Sequence, residues 1–116
     1  MSEMTEAEIT SAFVLHVRTE HPDLLFCGTV GGVNAPIGQK VKANREGYNK
    51  GIPDLIFYEP RGKHHGLAIE MKTRVGRLRP HQEEWIFKLA DRGYKAVVCR
   101  SLEEAKQVLK NYLSQE

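Results

Sequence analysis

Two carboxylates and one amine occupy positions where an ordinary core would want apolar side chains. Asp54 follows Gly51-Ile52-Pro53 and opens the apolar run Leu55-Ile56-Phe57. Glu70 and Lys72 close a second run, Gly66-Leu67-Ala68-Ile69-Glu70-Met71-Lys72. Each run is short and introduced by a glycine or proline signal, and polar residues 60–65 separate them, which predicts an antiparallel hairpin. A turn centred near Gly62 and Lys63 sets Asp54 opposite residue 70 or 71. Facing and diagonal residues of a hairpin lie roughly 5–8 Å apart, so Asp54 and Glu70 can converge on one divalent cation. Strand alternation puts Glu70 and Lys72 on one face and Leu67, Ile69 and Met71 on the other. Two acids and an ammonium on an apolar hairpin make a poor core and a plausible metal site.

Charge distribution suggests what such a site would act on. The net charge is only +2, but residues 38–79 hold ten Lys/Arg against four acids, a local +6 that leaves −4 for the rest. Lys40, Lys42, Arg45, Lys50, Arg74, Arg77 and Arg79 belong to that basic middle. A basic surface beside paired carboxylates suits a phosphate backbone, although a merely solvated basic surface has the same composition. The 116 residues suffice for one domain, residues 1–116, with an adequate core, and 41% hydrophobic and 28% charged residues are ordinary for a soluble protein. No run is long enough to span a membrane and the N-terminus lacks a signal peptide's pattern, so a cytoplasmic location and no membrane partner are expected. Cys27 and Cys99 sit in apolar segments without CxxC spacing, which predicts buried free thiols and argues against a zinc knuckle.

The remaining elements must position the hairpin. Thr5-Glu6-Ala7-Glu8 reads as a capping box that starts a helix to about Glu20, with Ile9, Ala12, Phe13, His16 and Val17 inward. Glu8 has the capping role, while Glu6 lies at the end of the inward face, where an acid needs a partner, a metal or the helix dipole. Residues 24–27 read as a strand and residues 28–36 as loop. Pro36 fits the first turn of a short helix with Ile37 and Val41 inward and Gly47 ending it; otherwise residues 28–51 form one long loop. In both cases this segment is a candidate clamp on a substrate. His64 and His65 at the hairpin tip are read as a solvated basic tip more readily than as metal ligands.

A helix is expected from Pro80, with Trp85, Ile86 and Leu89 inward and Gln82 on the same face, either as a cap or as a group orienting Lys72 or a water. Gly93 stops it, residues 94–99 read as a strand, and Ser101–Glu104 is a second capping box before a helix burying Ala105, Val108, Leu109 and Tyr112. The order α, β, short α, β, β, α, β, α indicates a three-layer α/β domain with a mixed sheet.

An acid on the first helix, Pro-Asp opening a strand, Glu-x-Lys on the next and Gln on the following helix together resemble the PD-(D/E)xK nuclease superfamily. Lys50-Gly51-Ile52-Pro53-Asp54-Leu55, Ile69-Glu70-Met71-Lys72, and Gln82 followed by Leu89 and Gly93-Tyr94 look like a stand-alone VRR-NUC domain, over roughly residues 5–113. The resemblance implies a restriction-endonuclease-like fold, a central mixed β-sheet flanked by helices. It implies a metal-dependent DNA endonuclease in which Asp54, Glu70 and the Met71 carbonyl hold Mg²⁺ or Mn²⁺ and Lys72 positions or deprotonates the attacking water. Gln82 would stand at the edge and Glu6, two residues from the competing Glu8, would be the first-helix acid. It further implies a homodimer that cuts branched DNA such as four-way (Holliday) junctions, in repair or replication. A hard cation with oxygen ligands both activates water and neutralises phosphate charge, as that chemistry needs. The alternatives are a non-catalytic DNA-binding module, a flap or single-strand nuclease with the same site, and an interaction domain without nucleic acid.

Overall fold

A computed structural model describes residues 3–29 and 37–116. The elements run α1 (Glu6–Glu20), β1 (Phe26–Gly28), α2 (Ile37–Arg45), β2 (Leu55–Phe57), β3 (Leu67–Met71), α3 (Pro80–Asp91), β4 (Lys95–Cys99) and α4 (Leu102–Leu113). This is the expected order. The four strands form one sheet in the order β1-β2-β3-β4. β1–β2 and β2–β3 are antiparallel and β3–β4 is parallel, so the sheet is mixed.

β3 is the organising strand, buried along its whole length. Alternation splits its side chains between two layers. Leu67, Ile69 and Met71 join Leu55 and Phe57 in a core closed by Ile9, Phe13 and Val17 of α1 and by Ala105, Leu109 and Tyr112 of α4. Ala68 and Glu70 face the opposite side, where Gln82 of α3 reaches Glu70. α1 starts as expected: Thr5 Oγ1 accepts the Glu8 N–H and Glu8 Oε1 accepts the Thr5 N–H. In α4 the Ser101 hydroxyl accepts the Glu104 N–H, but the Glu104 carboxylate turns back to the Arg100 N–H, one residue before the expected box partner. Among the described residues no helix is long and apolar enough to cross a membrane.

Two expectations are corrected. α2 forms and ends in Gly47 (φ +103°), but it buries none of its residues: Ile37 is 80% and Val41 48% exposed. Its apolar positions follow helical spacing without a surface to meet among the described residues. The Pro36 assignment and loop residues 30–36 lie outside the described residues. Cys27 is exposed while Cys99 is buried. Cys27 stands on β1, an edge strand, opposite Ile56 and away from the α1–α4 core. The hairpin tip is exposed at Gly62, Lys63 and His65, as expected of a solvated tip, while the Gly62 N–H donates to the Glu116 carbonyl and half-buried His64 packs beside the Tyr112 ring.

Candidate active site

Asp54 sits one residue before β2, behind buried Pro53. Leu55 pairs with Ile69, so one further step of the same register brings Asp54 opposite Glu70. Asp54 Oδ2 accepts the Met71 N–H at 2.7 Å, which anchors the carboxylate against β3. A strand residue turns its N–H and C=O toward the same edge, so the Met71 carbonyl faces this side as well. Glu70 is 2% exposed and its Oε2 accepts from Gln82 Nε2 at 3.2 Å. Gln82 Oε1 meanwhile accepts the Arg79 N–H at 2.9 Å. The two roles weighed for Gln82 therefore combine in part: one end caps α3 and the other holds Glu70 rather than Lys72.

Lys72 is 5% exposed, and its N–H donates to the Cys99 carbonyl at 2.9 Å, continuing the parallel ladder past β3. Its Nζ lies 3.8 Å from Glu70 Oε2 and 4.0 Å from Glu6 Oε1. Glu6, Glu70 and Lys72 thus meet although they come from α1 and β3. These side chains and Asp54 line a cleft of about 380 Å³, with Lys40, Lys50, Arg79 and Gln82 around it.

Burial and crowding set the electrostatics. Desolvation, then the Asp54 charge, push Glu70 up to about 8, against the pull of Lys72. Burial also raises Asp54, opposed chiefly by the Met71 N–H. One ammonium is thus too little positive charge to keep both carboxyls ionised, and a divalent cation would supply the rest. Among the described residues no three His, Cys, Asp or Glu side chains converge as a metal cage. Two carboxylates, a carbonyl and water match Mg²⁺ or Mn²⁺ far better than zinc.

Tyr48, Ile52 and His81 also line the cleft, and sequence reasoning missed them. Burial raises the Tyr48 phenol, with the Asp54 and Glu70 charges adding to it. Its entry depends on the turn that ends α2, where the Tyr48 N–H donates to the Ala43 carbonyl; nothing local in residues 47–50 signals this. Gly51 permits the close passage of this loop beneath α3: its φ is +98°, and a Cβ there would lie 2.6 Å from the His81 carbonyl oxygen. The other basic candidates are dispersed. Lys42 pairs with Glu46 on exposed α2, where Arg45 is exposed too, and Arg74 pairs with Glu3 at 3.0 Å. Arg77 is exposed outside the cleft lining.

Glu6 and Glu8 are separable by mutation. Glu8→Gln keeps an acceptor for the Thr5 N–H and should cost at most about 1 kcal/mol by thermal melt, with activity retained. Glu6→Gln should leave the melt nearly unchanged and slow catalysis. The reverse pattern would contradict the helix phase seen here.

The VRR-NUC domain profile matches residues 14–103. A solved structure of a "VRR_NUC domain protein" superposes with a TM-score of 0.80 at 26% identity, covering 99% of this chain and 93% of that one. Among curated proteins, none matches the chain. The profile match starts beyond Glu6, so the place of that residue rests on its distance to Lys72.

Proposed function

The chain belongs to the VRR-NUC domain family, a nuclease-type domain, and from that premise we propose that it is a Mg²⁺- or Mn²⁺-dependent endodeoxyribonuclease acting on branched DNA, four-way junctions above all. The observation that supports this reading most is the meeting of Asp54, Glu70 and Lys72 in one cleft at the adjoining ends of β2 and β3. Asp54, Glu70 and the Met71 carbonyl would hold the cation. When bound, it lowers the pKa of a coordinated water and offsets phosphate charge. Lys72 lies beyond tight hydrogen-bond range of either carboxylate, so its ammonium protons can orient water or a phosphate oxygen. Gln82 fixes the Glu70 carboxylate. Lys40, Lys50 and Arg79 would draw the DNA backbone to the cleft, with Lys42, Arg45, Arg74 and Arg77 contributing a wider positive field.

Resolving a junction needs two coordinated cuts, and a twofold homodimer supplies two sites related like the two strands. Sedimentation should show twice the chain mass. Incubation with linear, nicked and four-way-junction DNA should give paired, opposed cuts on the junction. A monomer that cuts junctions at full rate would sink the dimer and favour flap or single-strand cleavage by the same chemistry.

A further inference from the structure

A second cavity of about 420 Å³ adjoins the cleft, and Lys50 and His81 line both. Beyond them the cavity is lined by Trp85, Lys88, Leu89 and Arg92 of the α3 region. α3 buries none of its residues: Trp85, expected to face the core, is half-buried and lines this cavity instead. Among the described residues no ring stacks on it. Lys88 is held by Glu84 at 2.6 Å, and Arg92 donates to the Lys88 carbonyl at 3.1 Å with Asp91 4.0 Å away. Lys50, Lys88 and Arg92 against Glu84 still leave the lining positive.

The groove along α1, which shares Glu6 and Asp54 with the cleft, differs. Its aromatic, Phe26, is already stacked on Phe57 at 5.1 Å and covered by the Arg18 guanidinium at 5.9 Å. Of these two grooves, among the described residues, the one along α3 sets an aromatic without a stacked ring beside cations. An aromatic platform beside backbone cations is what an unstacked nucleotide needs, whereas bases within a duplex present no free face.

We propose that this cavity is a subsite for one unpaired nucleotide adjoining the scissile phosphate, its base against Trp85 and its phosphate toward Lys50 and Arg92. The subsite rests on the nuclease reading only for what lies next door. It would select DNA in which strands part at the cut, as at a junction, flap or gap.

Trp85 is the chain's one tryptophan, so its fluorescence reports this cavity directly. With metal chelated, a short oligothymidylate should quench it saturably, and a fully paired duplex of equal length should quench far less. Trp85→Ala should raise KM for DNA with an unpaired nucleotide roughly 5- to 100-fold, with kcat within a few-fold, and Trp85→Phe should keep most of the affinity. If Trp85→Ala fails to fold, the titration of the unmodified chain decides alone. No quenching by the single strand, or equal quenching by the duplex, overturns the subsite even where metal-dependent cleavage is intact. Quenching without any cleavage would instead support the subsite and remove the nuclease reading.

Discussion

Asp54→Asn and Glu70→Gln should each slow single-turnover DNA cleavage by at least ~10²-fold at saturating metal, while DNA binding stays within a few-fold. Both replacements keep the fold's hydrogen bonds. The amide introduced by Asp54→Asn retains an oxygen for the Met71 N–H, and the one introduced by Glu70→Gln retains an oxygen for Gln82 Nε2. What is lost is one negative charge facing the cleft, and with it a ligand that a hard cation requires. Binding should survive because the positive groups around the cleft remain, and a carboxylate repels the phosphate backbone in the absence of metal. Either variant cleaving within a few-fold of the parent would show that the cation, if any, is held elsewhere.

The second large effect is a dissociation of stability from activity. In the metal-free chain Glu70 titrates near 8 instead of about 4.5, with burial as the main cause. The folded state therefore holds a proton that the unfolded state has released between those values. Stability tied to Glu70 is fully present below about pH 4.5 and is lost as pH rises through about 8. A thermal melt without metal should fall across this range. Glu70→Gln, which has nothing to titrate, should melt roughly 5–15 °C above the parent at pH 8 and near it at pH 5. Mg²⁺ at pH 8 should recover part of the loss in the parent alone, because a cation replaces the missing proton. An unchanged pH slope in Glu70→Gln would place the strain elsewhere.

Much of this is legible in the sequence. Asp54, Glu70 and Lys72 are recoverable because hairpin register is set by local signals, the glycine and proline openings and a turn centred near Gly62. Glu6 follows from the phase of α1, fixed by the Thr5–Glu8 box. Gln82 is found but its partner is not, because reaching Glu70 rather than Lys72 depends on how α3 crosses the sheet. Tyr48 is invisible for a related reason: a loop passing beneath another helix has no periodicity of its own, and His81, in the first turn of α3, reaches the cleft because that loop passes beneath it. Helical spacing also misleads at Ile37, Val41 and Trp85. It states which side chains share a face, but not whether anything covers that face. At α2 nothing described does, and at Trp85 the uncovered face lines a cavity beside the active-site cleft. Cys27 goes the same way, since an apolar strand at a sheet edge can leave one side open.

The most direct test of the central claim is the metal itself. Four-way-junction DNA should be incubated with the purified chain across a Mg²⁺ series and with the cation fully chelated, beside Asp54→Asn at each concentration. Cleavage that rises saturably with Mg²⁺, stops on chelation and stays absent in Asp54→Asn is the expected result. Cleavage that persists under chelation, or that Asp54→Asn matches across the series, would contradict a cation held between Asp54 and Glu70.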